Sequence, residues 1–364
     1  MKLTIVAGAR PNFIKIAPII EAVNDKIKQG VNISYRLVHT GQHYDEKMSG
    51  SFFKELNITT PNINLEVKEG TTIQQIAAIM VKFEEELIQN SSDLVLVVGD
   101  VNSTLACALV AQKMGIKVAH VEGGIRSGDW NMPEEINRLV TDSITNYFFT
   151  TSIYANQNLR RSGVENERIF FVGNTMIDTL NKNLSRLKEP KFFKEYELKE
   201  KDYFVLTLHR PQNVDEVESL NELLKAISKN TRNKKIIFPV HPRTKVILDQ
   251  LSFETNNIIR AQPLGYLEFN FLVKNSLAVL TDSGGITEET TVMGVPCITL
   301  RDTTERPETS IVGTNELVGT NPELIKKALE KLFAGNWKKG SIPEKWDGHA
   351  AMRIVDIICN NFSS

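Results

Sequence analysis

Leu94-Val95-Leu96-Val97-Val98-Gly99-Asp100 is a run of five apolar residues that stops at a glycine and an aspartate. A half-exposed strand alternates polar and apolar residues. This one is apolar on both faces, the pattern of a central parallel strand covered by helices on each side. The same pattern recurs outward from it. Short β-branched runs read as strands at residues 3–7, 34–39, 117–121, 147–150 and 169–172, with helical periodicity at 14–28, 72–89, 103–114, 133–145 and 153–162. The second half repeats the style, with strands at 203–208, 235–240, 257–260, 277–281 and 296–300 and helices at 216–230, 243–250, 266–274, 285–293 and 321–333. Strand–helix alternation over the whole length predicts an α/β chain of doubly wound parallel sheets.

At 364 residues the chain exceeds what one core usually serves, so two domains are expected. The Lys- and Glu-rich stretch 181–202 lacks strand patterning and marks the boundary. That predicts one Rossmann-like domain over 1–180 and a second over 181–347, with the active site in a deep cleft between them. Residues 348–364 read as an amphipathic helix with Met352, Ile354, Val355, Ile357 and Ile358 on its apolar side, expected to rejoin the first domain.

The formal net charge of -1 provides no global field for nucleic acid or an anionic membrane, so neither is an expected partner. The first apolar run is too short for a signal peptide, and none approaches the ~20 residues of a spanning helix. A soluble, cytoplasmic protein is expected. Cys107, Cys297 and Cys359 lack metal-ligand spacing and sit in apolar stretches, which predicts buried reduced thiols. No metal site is expected.

In open parallel sheets, ligands bind beyond the carboxyl ends of the strands. Those ends hold Gly8-Ala9-Arg10-Pro11, His39-Thr40-Gly41-Gln42-His43, Gly99-Asp100, Glu122-Gly123-Gly124, His209-Arg210, His241-Pro242, Asp282-Ser283-Gly284-Gly285 and Arg301-Asp302. Polar residues with catalytic potential concentrate there. Asp282-Ser283-Gly284-Gly285 opens a helix, and two readings stand. Free N–H groups at the helix start suit a phosphate, and the glycines permit close approach. Alternatively, Asp282 or Ser283 is a plain N-cap. Lys15, just inside the first helix, either snorkels at the surface or joins Arg10 in facing an anion. Asp100 and Glu122 end buried strands, where carboxylates are costly unless paired or solvated. Glu134 stands in an acidic first helical turn, which by itself complements the dipole. Together the three acids suit proton transfer at carbon. The chain shows no G-x-G-x-x-G after a strand, no G-x-x-x-x-G-K-[ST] and no G-x-S-x-G, which disfavours nicotinamide redox enzymes, P-loop ATPases and serine hydrolases.

These segments, with Gly8 to Lys15, His120 to Gly128, Pro133 to Arg138 and Arg301-Asp302-Thr303-Thr304-Glu305-Arg306-Pro307-Glu308, stand in the order found in the non-hydrolysing UDP-N-acetylglucosamine 2-epimerases, which the chain closely resembles from residue 1 to at least 320. The resemblance implies a glycosyltransferase-B-type fold, a homodimer, and reversible conversion of UDP-N-acetylglucosamine to UDP-N-acetylmannosamine with no added cofactor. It implies that Arg10, Lys15, His209, Ser283, Gly284, Gly285, Glu289 and Arg306 contact UDP, with Glu289 at the ribose and Phe269 by the uracil. Asp100, Glu122 and Glu134 match the family's catalytic acids, His209 is counted with them, and Arg138 matches an arginine nearby. Gln42, Arg210 and His241 match parts of a second, activating substrate site, while 65–71 carries no arginine for it. The run His209-Arg210-Pro211-Gln212-Asn213 lacks the glutamate usual after His-Arg. Relatives acting on other UDP-aminosugars, including diacetamido uronic acids, share most of these motifs. A hydrolysing 2-epimerase, a glycosyltransferase of the same fold and a non-catalytic sensor are the alternatives.

Overall fold

The computed structural model describes residues 1–41, 53, 55–67, 70–240, 242–249 and 257–362, with side chains for all of these except 10, 211, 242, 243 and 362. The chain divides into two compact units: unit 1 comprises Met1–Asn183 and Glu344–Ser364, and unit 2 comprises Leu184–Pro343.

Unit 1 is built on strands β1 (Lys2–Ala7), β2 (Ser34–His39), β3 (Ile63–Asn64), β4 (Leu94–Val98), β5 (Lys117–Val121), β6 (Tyr147–Thr150) and β7 (Ile169–Phe171). Among the described residues they form a parallel sheet in the order β3-β2-β1-β4-β5-β6-β7. All five residues of β4 are buried, as an apolar run covered on both faces requires. Val95 and Val97 pack with Ile79, Phe83 and Leu87 of the helix Thr72–Gln89 and with Ala106, Cys107 and Val110 of the helix Asn102–Lys113.

Unit 2 uses β8 (Tyr203–Thr207), β9 (Lys235–Pro239), β10 (Ile258–Ala261), β11 (Ala278–Thr281), β12 (Cys297–Thr299) and β13 (Asn315–Leu317). They run parallel in the order β10-β9-β8-β11-β12-β13. Its core puts Phe204, Leu206, Phe238 and Leu280 against Leu220, Leu224 and Leu329 of the flanking helices. Both sheets follow the Rossmann order, in which winding reverses between the first and fourth strands. The α/β reading with two Rossmann-like domains of the glycosyltransferase-B type holds.

The structure moves several expected boundaries. The first helix runs Arg10–Lys28 and starts before Ile14, because Asn12 Oδ1 accepts the backbone N–H groups of Gly8 (3.2 Å) and Ala9 (2.9 Å) ahead of any apolar periodicity. Pro18 inside that helix has no N–H for the Ile14 carbonyl, and Thr179 Oγ1 donates to it instead at 2.6 Å. Thr179 belongs to a helix not anticipated, Thr175–Asn183, rich in polar residues yet largely buried. Three short helices also escaped the periodicity reading: Phe192–Glu195, inside the expected boundary stretch, Pro211–Val214 and Pro307–Ile311.

The final helix, Ala350–Phe362, packs on unit 1, where Asp178 accepts from the N–H groups of Ala350 (3.1 Å) and Ala351 (2.6 Å). Ile354, Val355 and Ile358 are buried in it, whereas Met352, expected on the apolar side, is exposed. Cys107 and Cys297 are buried as expected; Cys359, one residue after Ile358 on this helix, is only half-buried. Among the described residues no helix is long and apolar enough to cross a membrane.

Candidate functional site

In unit 1 the reversal of winding lies between β1 and β4, and β5 is the next strand. Lys15 projects from the second turn of the helix Arg10–Lys28 and is 8% exposed; its Nζ lies 2.7 Å from Glu122 Oε2 at the end of β5. The surface-snorkel reading of Lys15 is therefore corrected: the stem is buried, and the ammonium compensates a carboxylate that is itself 3% exposed. Glu122 has φ +71, a left-handed conformation costing about 1–2 kcal/mol for a residue with a Cβ. Its N–H is held by the Phe149 carbonyl at 2.8 Å. Such strain persists only where neighbours over-determine it, and here the Phe149 carbonyl and Lys15 do so.

Asp100 follows β4 through Gly99, whose φ of +69 suits glycine. A Cβ on Gly99 would come within 3.3 Å of Lys15 Nζ, so β4's end and the first helix meet here. The Asp100 carboxylate pairs with Arg138, and its carbonyl accepts from Asn137 Nδ2 at 2.9 Å. Arg138 also binds Glu135 Oε2 at 2.8 Å. Burial opposes the charge of Glu135, but the N–H groups of Ser127 and Gly128, the Ser127 hydroxyl and Arg138 hold its carboxyl below its ordinary value. Glu134 is exposed, one turn before Arg138 on the helix Pro133–Ile144.

Below this group His120 is fully buried, with Nδ1 2.8 Å from Asp142 Oδ1 and Nε2 2.7 Å from the Gly99 carbonyl. Asp142 Oδ2 accepts from Arg126 (2.6 Å) and from the Gly124 N–H (3.0 Å). Burial works against the Asp142 charge, yet His120 and Arg126 together hold its carboxyl below the ordinary value.

In unit 2 the corresponding reversal lies between β8 and β11. Asp282, at the end of β11, is fully buried. Its carboxylate accepts the N–H groups of His209 (3.2 and 3.1 Å) and Arg210 (2.9 Å) and Asn213 Nδ2 (3.1 Å), and lies 2.7 Å from His209 Nδ1. Burial opposes the charge, but these contacts win and hold the carboxyl below its ordinary value. Of the two residues offered as N-cap, Ser283 holds that position and Asp282 does not. Ser283 caps the helix Gly284–Met293 without a side-chain bond, and Asp282 instead pins the turn after β8. The helix N-terminus keeps the N–H groups that suit an anion.

Arg210 Nε donates to the Asp282 carbonyl at 3.1 Å, and Arg210 Nη2 lies 3.6 Å from Glu305. Glu305 binds Arg301 at 2.7 Å and packs over Gly284, where a Cβ would meet its Oε1 at 2.8 Å. Arg306 is buried, 3.0 Å from Glu288. Glu289 accepts from Tyr266 Oη (2.8 Å) and Asn270 Nδ2 (3.4 Å), and burial pushes its carboxyl up to about 7. Phe269 is half-buried against the unit 2 core, one turn from Tyr266. Gly285 is the second residue of the helix Gly284–Met293 that carries Glu288 and Glu289.

The structure therefore joins Lys15 with Glu122 and Asp100 with Arg138, and His209 and Arg210 with the Asp282–Ser283–Gly284 turn. The Arg10 side chain, Gln42 and His241 lie outside the described residues. Sequence reading gave no individual role to His120, Glu135, Asp142 or Glu305, and weighed Asp282 only as an N-cap or part of a phosphate turn. Among the described residues no group of three or more His, Cys, Asp or Glu is placed to hold a metal ion.

Comparison with known proteins identifies the family. The family described as UDP-N-acetylglucosamine 2-epimerase matches residues 25–359. The UDP-N-acetylglucosamine 2-epimerase of Methanocaldococcus jannaschii is 44% identical over 98% of this chain and 99% of that protein. A Pseudomonas aeruginosa UDP-2,3-diacetamido-2,3-dideoxy-D-glucuronate 2-epimerase is 37% identical over 89% of this chain and 90% of its own. Among solved structures, the M. jannaschii enzyme in complex with UDP-GlcNAc and UDP superimposes with a TM-score of 0.89 at 43% identity, covering 99% of this chain and 100% of that one. The chain belongs to the UDP-N-acetylglucosamine 2-epimerase family.

Proposed function

We propose that the protein interconverts UDP-N-acetylglucosamine and UDP-N-acetylmannosamine by eliminating and re-adding UDP, without net hydrolysis. The observation that carries this reading is the pair of acids on adjacent strand ends, Asp100 and Glu122, each with its own cation, Arg138 or Lys15. Removing a hydrogen from C2 of the sugar needs a base and returning it needs an acid. An ammonium beside a carboxylate favours the ionised, proton-accepting form.

In this mechanism the C1–O bond to UDP breaks and UDP leaves with the bonding pair. The positive charge developing at C1 acidifies the C2 hydrogen, a carboxylate takes that proton, and 2-acetamidoglucal forms. UDP then adds back to C1 as C2 is protonated from the opposite face. Asp100, Glu122 and Glu134 serve the proton transfers, with His209 in attendance. We assign UDP to unit 2: pyrophosphate to the Ser283–Gly284–Gly285 helix start with His209 and Arg306, ribose to Glu289 and uracil to Phe269. Arg10 and Lys15 add positive charge on unit 1. The step calls for no cofactor.

Gln42, Arg210 and His241 are proposed for an activating site on the resemblance, and of these Arg210 contacts the Asp282 turn directly. A homodimer in the cytoplasm completes the proposal. Ile73, Val81 and Ile88 are exposed, recur on one side of the helix Thr72–Gln89, and suit a partner copy. The 37% identity to the diacetamido uronate 2-epimerase favours a second reading, in which that sugar nucleotide is the preferred substrate.

Incubation with each sugar nucleotide, followed by NMR of the products, separates these readings. The manno epimer, still attached to UDP, is expected from UDP-N-acetylglucosamine. Accumulation of free N-acetylmannosamine with stoichiometric UDP would show a hydrolysing enzyme instead.

A further inference from the structure

His120 stands two residues before Glu122 on β5 and is 0% exposed. Its Nε2 faces the Gly99 carbonyl at 2.7 Å. A carbonyl oxygen only accepts, so Nε2 must carry hydrogen. Its Nδ1 faces Asp142 Oδ1 at 2.8 Å. The other oxygen of that carboxylate already receives Arg126 and the Gly124 N–H, contacts that favour its ionised form. An ionised carboxylate also only accepts, so Nδ1 carries hydrogen too. Both ring nitrogens donating makes the ring an imidazolium.

The same ring closes a clamp on one peptide. The Gly99 N–H donates to the Val121 carbonyl at 3.0 Å while the Gly99 carbonyl takes His120 Nε2. Both polar groups of Gly99 are thus fixed by consecutive residues of β5, in a left-handed turn that delivers Asp100. The charged groups around the ring are Asp142 and Arg126 on one side, and Lys15, Glu122 and Asp100 on the Gly99 side.

We propose that His120 is a positioning residue, a buried imidazolium held by Asp142 that locks the Gly99 turn and so sets the Asp100 carboxylate for proton transfer. This rests on the epimerase reading for its consequence but not for its geometry, so the experiment has two parts.

The resting protein, labelled with ¹⁵N in its histidines, reports the ring directly. Hydrogen on both nitrogens at neutral pH is expected for the resonance that disappears in His120→Gln. A ring nitrogen without hydrogen there overturns the proposal, whether or not the protein epimerises anything. Kinetics test the consequence. Replacing His120 with Asn keeps a donor toward Asp142 but loses the reach to Gly99, and kcat should fall by roughly tenfold to a hundredfold. KM for UDP-N-acetylglucosamine should stay within about twofold, since the nucleotide groups are on unit 2. His120→Gln, whose amide matches the Nε2 donor, should recover part of kcat. Unchanged kcat in His120→Asn, or a loss confined to KM, overturns the positioning role. Failure of the wild-type protein to turn over any UDP-aminosugar would instead count against the epimerase reading.

Discussion

Lys15 Nζ and Glu122 Oε2 lie 2.7 Å apart with their side chains 10% and 2% exposed, an ion pair linking the first helix to the end of β5. Burying two charges gains little over an apolar pair, but removing one partner strands the other. Lys15→Met should therefore cost roughly 3–5 kcal/mol in urea denaturation. The double variant Lys15→Met/Glu122→Gln should regain most of that stability and still fail to turn over. If it remained as unstable as the single variant, the pair would not be what Lys15 serves.

Asp282 makes a different prediction, because its partners are the backbone of the turn after β8. A carboxyl held below its ordinary value stabilises the fold above its unfolded pKa, near 3.9. That contribution is lost as the pH falls through the folded value. Asp282→Asn should lower stability at neutral pH by roughly 3 kcal/mol and flatten the acid limb of the stability profile. Calorimetric titration should show UDP binding weakened as well, as His209 and Arg210 lose their anchor.

Glu289 has the opposite sign. Burial pushes its carboxyl up to about 7, above the unfolded value, so the native state binds the extra proton. Stability should fall as pH rises from about 4.5 to about 7, by on the order of 3 kcal/mol, and level off beyond. Glu289→Gln keeps the acceptor for Tyr266 and removes the titration, so its profile should be flat across that window. A slope that survives the substitution would assign the effect to another group.

The exposed residues Ile73, Val81 and Ile88 predict the oligomeric state. Light scattering after gel filtration should give twice the chain mass for the wild type and one chain for Val81→Glu. A wild-type monomer, or a dimer indifferent to charge at Val81, would place the contact elsewhere or remove it.

The fold was largely legible because its central strands, such as β4 and β11, are buried on both faces. β4, β5 and β6 stand at the limits expected from their apolar runs, and β2, polar in its first half, at those expected of it too. What escaped lacked that signature. β3 has two residues, and β13 is an edge strand reading Asn315-Glu316-Leu317. The helix Thr175–Asn183 buries threonines, an aspartate and an asparagine that hydrogen-bond within unit 1. At the site, strand ends revealed where Asp100, Glu122 and His209 would stand, since that follows from topology. Which acid is buried depends on helical phase. Neighbours on a helix point about 100° apart, and Glu135 turned inward while Glu134 faces solvent. Asp282 and His209 are 73 residues apart in sequence, and only folding shows that they meet.

In the proposed mechanism UDP leaves and returns while C2 exchanges its hydrogen, which NMR of UDP-N-acetylglucosamine incubated with the protein in deuterium oxide reads out. Deuterium is expected at C2 of the manno epimer and of recovered substrate, with traces of 2-acetamidoglucal and UDP. Asp100→Asn and Glu122→Gln should slow that exchange together with epimerisation. A manno epimer that keeps its original hydrogen at C2 would rule out elimination and re-addition of UDP.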